Sequence, residues 1–166
     1  HWQQLLASKP DAMQQQLLQL ALAMTLERAD KLETLFTAQS PVTRDELRDP
    51  LLRFSAAAKL LRQVSADQAL SGELRNTALY TLLLKDLNRG HYADFLQDQA
   101  LVAQAPTGKP FDLAPFSQGA SNEEGYSCPA LSETVSQLAS TQAGGKPAAK
   151  ALNCLGEFFY RQGLDD

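Results

Sequence analysis

Isoleucine is absent from this 166-residue chain and valine occurs only four times, at Val42, Val64, Val102 and Val135, while leucine, alanine and glutamine recur throughout. β-Branched and aromatic side chains are what strands favour, whereas alanine and unbranched side chains lose little freedom in a helix. The composition therefore predicts an all-α protein. The length suits one compact domain, 1–166, able to bury roughly 70% of the surface that the unfolded chain exposes.

Two segments repeat one another. ALNCLGEFFYRQG runs from Ala151 to Gly163, and ALYTLLLKDLNRG runs from Ala78 to Gly90. Each opens on Ala-Leu, places a leucine four residues after the alanine (Leu82, Leu155) and ends on glycine. Apolar residues at steps of three and four make one face of a helix, and a glycine past the last turn adopts the left-handed conformation that stops it. Each copy reads as a helix with a built-in end.

Other helices follow from the same spacing. Ser8 and Pro10 suit a helix start, and Met13, Leu17, Leu20, Met24, Leu32 and Leu35 continue an apolar stripe to about Thr37. Thr43 with Glu46 has capping-box spacing, and Asp49-Pro50 offers a start for Leu51, Leu52, Phe54, Leu60, Leu61 and Val64. Ser65 with Gln68, then Ser71 before Glu73, predicts a break and a restart. Tyr92, Phe95, Leu96 and Leu101 form the antiparallel partner of the helix ending at Gly90. Helices resume over Leu131 to Ala139 and after Gly144, Gly145 and Pro147. Between Ala105 and Pro129 the pattern gives way to proline, glycine, serine and asparagine. Phe111, Leu113, Phe116 and Tyr126 within it predict one long ordered loop pinned onto the helices, a kind of segment that also carries function.

Charge and cysteines bound the partners and the compartment. Net charge is -4, and the basic residues are scattered, so no footprint exists for nucleic acid or an anionic membrane. The longest apolar stretches fall short of the roughly 20 residues that a membrane-spanning helix needs. Cys128 and Cys154 are the only cysteines, and a disulfide between them is expected, with an oxidising compartment, periplasmic or extracellular. Without further ligands they make no zinc site, a copper site built on His1 and His91 suits a helical chain poorly, and no cofactor is expected. The chain starts at His1-Trp2 without methionine, as a fragment or processed form would.

The two matching segments resemble the first helices of tetratricopeptide repeats. Ala151, Leu155-Gly156, Phe159, Tyr160 and Gly163 fall where that family places its small residue, Leu-Gly pair, aromatics and turn glycine. In the earlier copy Gly90 and Tyr92 fit the turn and the second helix, and Pro106 falls near the repeat's end. Leu83, Asp86 and Phe95 depart from the pattern, which covers about a third of the chain. The resemblance implies antiparallel helical hairpins in a short, irregular array. An N-terminal helical part, 1–64, precedes a repeat-like part, 71–166, interrupted by the loop 105–129.

In such arrays the repeated helix lines a groove for peptides or other proteins. The resemblance thus implies a non-catalytic scaffold or adaptor domain of an exported or envelope bacterial protein or lipoprotein, with Thr77, Tyr80, Thr81 and Lys85 facing another protein or peptide. A helical inhibitor or immunity-type protein that blocks an enzyme is the alternative. A glycan hydrolase of the envelope is a third reading, needing an acid such as Glu123, Glu124 or Glu157, and a serine or cysteine hydrolase would have only His91 as its base. No spacing in the sequence marks a catalytic residue.

Overall fold

The computed structural model describes residues 50–105, 111–121, 127–142 and 149–162. The helix expected from Ser8 to Thr37, the Thr43–Glu46 capping box, and Pro106, Glu123, Glu124, Tyr126, Gly144, Gly145, Pro147 and Gly163 lie outside them. The fold is all-α, with one small β-ladder inserted. The chain divides into two compact units, residues 1–78 and 79–166.

In the first unit, α1 spans Pro50–Ala66. Ala56, Ala57, Leu60, Leu61 and Val64 recur at helical spacing and are buried, so the stripe legible in sequence is the face removed from water. Past Ala66, Asp67 Oδ1 accepts the Ala69 amide at 2.9 Å, turning the chain. Ser71 Oγ then accepts the Leu74 amide at 3.3 Å, capping α2, which spans Gly72–Asn88. Arg75 Nε donates to the Ser65 carbonyl at 3.1 Å, tying the restart to the end of α1. The expected break is present, with Asp67 rather than Ser65 and Gln68 making its turn.

The division between units falls inside α2, after Ala78. In the second unit Leu79, Leu82, Leu83 and Leu87 are buried along α2. The helix stops as its glycine predicts. Gly90 has φ 68°, its N–H donates to Leu87 O at 3.1 Å, and the His91 N–H reaches Asp86 O at 2.8 Å. That pair of bonds is a Schellman motif, which satisfies carbonyls the helix end would leave open. Helix α3, Tyr92–Gln99, follows at once, and a 3-10 turn over Ala100–Gln104 takes the place of its continuation through Leu101.

The loop expected over 105–129 holds more regular structure than its composition announces. A single helical turn, α4, spans Ala114–Ser117, and strands β1, Gly119–Ser121, and β2, Ser127–Ala130, pair antiparallel. Gly119 faces Ala130 and Ser121 faces Ser127, with an irregularity between them. These strands contain no β-branched residue, so propensity gives no sign of them; the ladder is set by what its ends are fastened to. Leu131 N–H extends it by donating to Gln118 O at 3.3 Å. Helix α5, Leu131–Gln142, buries Leu131, Thr134, Val135 and Leu138 and packs against α3, α4 and β2. Helix α6, Ala149–Arg161, lies on α5 and on both strands.

Cys128 in β2 and Cys154 in α6 form a disulfide with Cα atoms 5.6 Å apart and 26 residues of separation. The bond closes a loop containing α5, for which the chain-entropy model gives about 3.5 kcal/mol of stabilisation. It fixes the last helix to the ladder, so the loop and α6 hold each other in place.

The two sequence copies share little of their environment. Ala78 with Ala151 and Leu82 with Leu155 are buried in both helices. Elsewhere the faces differ: Leu83 is buried, while its counterpart Gly156 is exposed. A Cβ built at Gly156 meets nothing within 4 Å, so no described element makes the close approach that the repeat pattern gives this glycine. Leu152 and Tyr160 on the same side of α6 are 46% and 66% exposed.

Candidate partner-binding face on the Tyr80 helix

Helix α2 carries the four residues expected to meet a partner. Thr77 belongs to the first unit, and its hydroxyl donates to the Glu73 carbonyl at 2.8 Å. Tyr80, Thr81 and Lys85 belong to the second, and all three are half-buried. Their spacing puts them beside the buried leucine stripe of α2 rather than on it. At the matching positions of α6, Cys154 and Phe158 are buried, in the disulfide and the core. The other two matching positions, Lys150 and Asn153, are exposed, so the copies differ in which part of the set reaches solvent.

Tyr80 is held by two rings from the 111–117 segment. Phe111 stacks on it with centroids 4.4 Å apart and planes 18° from parallel. Phe116 meets it edge-on at 5.5 Å and 82°. Both arrangements suit the negative ring face and positive ring edge of aromatic side chains. Burial alone pushes the Tyr80 hydroxyl above its ordinary titration range, because the phenolate is harder to desolvate than the phenol.

Phe116 is the hub of this arrangement. It is 0% exposed and also meets Phe95 of α3 at 6.3 Å and Phe158 of α6 at 5.4 Å. The Gln99 side-chain amide donates to its carbonyl, which fastens α4 to α3. Asp112 Oδ1 accepts the Ala114 amide at 2.9 Å, starting the turn, and Leu113 is buried. Phe111 and Phe116 thus pack against the helices, as the mixture of aromatics with polar residues in the loop suggests, and they brace Tyr80 from one side.

Of the candidate acids and bases, Glu157 and His91 are among the described residues and lie on different elements. Glu157 pairs with Arg161 at 2.7 Å one turn away on α6. His91 is exposed, and its Nδ1 lies 3.9 Å from Asp94 Oδ2. Its backbone closes α2 and opens α3, but its side chain makes no capping hydrogen bond, so a capping side chain is not its role. Asp86, His91 and Asp94 bring one donor atom each within 4.8 Å of one another, with Asp86 buried and the other two exposed. Sequence reasoning missed this group because only the left-handed turn at Gly90 folds His91 back toward Asp86. A shallow depression of about 190 Å³ lies beside the disulfide, with Glu133 and Lys150 in its wall. Neither Glu157 nor His91 lines it. Among the described residues no helix is long and apolar enough to cross a membrane. No protein-family model matches the chain, and no curated protein or solved structure matches it either.

Proposed function

We propose that the protein is a non-catalytic interaction domain, held by its disulfide, of an exported or envelope bacterial protein. It binds another protein or peptide through Tyr80, Thr81 and Lys85 of α2, with Thr77 one turn earlier on the same helix. In the tetratricopeptide-like reading, α2 is the groove-lining helix. The observation that carries the proposal is a tyrosine braced by two rings yet half open to solvent. A large, pre-oriented ring with a polar end loses little freedom on binding, which is why tyrosine recurs among residues that dominate interfaces. The hydroxyl of Thr81 and the cation of Lys85 add directional and charged contacts around it.

The disulfide supports an oxidising compartment, because such bonds persist where thiols are not kept reduced. The inward packing of Leu113 and Phe116 favours a binding helix over a projecting inhibitory loop. Affinity capture from the envelope or extracellular fraction tests the reading, comparing oxidised wild type with Tyr80→Ala and Thr81→Ala/Lys85→Ala. A protein retained by wild type and lost from both variants supports it. Equal capture by all three removes α2 as the binding face.

A further inference from the structure

We propose that Asp86, His91 and Asp94 form a binding site for a divalent transition-metal ion of the zinc type, at the corner between α2 and α3. The site stands apart from the role given to Tyr80 and needs no partner.

The backbone brings the three residues together. Asp86 lies in the last turn of α2, His91 follows the left-handed Gly90, and Asp94 lies in the first turn of α3. His91 N–H donates to Asp86 O at 2.8 Å, and Phe95 N–H donates to His91 O at 2.9 Å. The spacing of the set is thus fixed by main-chain bonds. One donor atom from each residue lies within 4.8 Å of the other two, and His91 Nδ1 is 3.9 Å from Asp94 Oδ2. Ligands around a tetrahedral zinc ion sit about 3.4 Å apart, so the set must contract by no more than about 1.4 Å. His91 and Asp94 are exposed and make that adjustment by side-chain rotation, while the buried Asp86 is the fixed ligand.

A second observation points to a cation. Asp86 is 3% exposed. The residue has a further interaction, but no group donates a hydrogen bond to its buried Oδ2. A carboxylate oxygen removed from water costs free energy until a donor or a cation reaches it. The chemistry of the donors sets the class of ion. Imidazole suits zinc, copper, iron and nickel, whereas magnesium and calcium take oxygen ligands. Two carboxylates balance the charge of a dication, and the exposed side of the set leaves a coordination position for water. With three protein ligands and no thiolate, affinity is on the order of micromolar. The bound ion clamps the start of α3 onto the end of α2.

The test titrates zinc chloride into the oxidised full chain, with calorimetry and the His91 ring resonances in NMR as readouts. His1 is the only other histidine, so His1→Ala is the control. Wild type and His1→Ala are expected to bind one zinc ion and to shift the His91 resonances. His91→Ala and Asp94→Asn should each weaken binding by about tenfold or more; both positions are exposed, so the fold survives the change. Asp86→Asn should do the same, and the two exposed positions decide if that variant does not fold. Zinc at about 100 times its dissociation constant should raise Tm by about 5–11 °C in wild type and not in His91→Ala. Equal zinc affinity in wild type, His91→Ala and Asp94→Asn overturns the proposal, as does no binding up to about 1 mM zinc. Binding lost in His1→Ala and kept in His91→Ala places the ion at the chain terminus and overturns it as well. Tighter binding of calcium or magnesium than of zinc overturns the class of ion.

Discussion

Replacing Phe116 by alanine removes the ring that joins α2, α3, α4 and α6. The side chain is 0% exposed, and a phenylalanine of that kind costs about 3–5 kcal/mol when truncated to alanine. Three ring pairs disappear with it, at 5.5, 6.3 and 5.4 Å, all within the separation at which aromatic pairs add stability beyond buried area. The loss should therefore fall in the upper half of the range, about 4–5 kcal/mol. At about 2–4 °C per kcal/mol for a chain of this size, Tm should drop by about 8–20 °C. Urea and thermal unfolding of the oxidised protein measure the loss, and near-ultraviolet circular dichroism reports whether Tyr80 keeps a fixed environment. Phe159→Ala is the comparator, since Phe159 is half-buried; it should lose less than half as much. A Phe116→Ala penalty below about 1 kcal/mol, the size of an ordinary substitution, would refute the hub assignment.

Three smaller perturbations check other parts of the account. Replacing both Cys128 and Cys154 by serine should cost about 3.5 kcal/mol by the loop-entropy argument, read as a lowered urea midpoint; an unchanged midpoint would mean that the bond does not hold α6 to the ladder. Gly156→Ala should stabilise the protein by about 0.5–1 kcal/mol, because the new methyl group meets nothing within 4 Å and the residue lies inside α6; a loss of stability would reveal a neighbour packed on that face. Tyr80 titrates above its ordinary value of 10.0 because burial disfavours the phenolate. Its contribution to stability is therefore complete below pH 10.0 and is lost as pH rises through the elevated folded value; absorbance titration of wild type against Tyr80→Phe should show the late component, and its absence would contradict the burial argument.

Where local chemistry governs an element, the chain states it openly. The scarcity of β-branched residues announces helices, Gly90 announces the stop of α2, and Ser71 announces its start. The aromatics between Ala105 and Pro129 foretell packing against the helices, and two cysteines in a chain of this kind foretell their bond. The rest depends on tertiary partners. β1 and β2 pair from glycine, alanine, serine, cysteine and proline, held at one end by Leu131 and at the other elements by the Cys128–Cys154 bond. The replacement of the end of α3 by a 3-10 turn and the division of the chain inside α2 have no signature in periodicity. For the candidate face, the sequence names Tyr80, Thr81 and Lys85 but not Phe111 and Phe116 as the rings that brace the tyrosine, since contacts across 31 and 36 residues leave no local pattern.

The central claim, that α2 is the binding face, is tested most directly by placing a photoreactive amino acid at position 85 in one variant and at position 152 in another. Leu152 is exposed on α6 and serves as the competing surface. After irradiation with the envelope or extracellular fraction, the account predicts a discrete cross-linked protein from position 85 that is lost when Tyr80 is also alanine, and none from position 152. A product from position 152 alone would place the partner on α6 and contradict it.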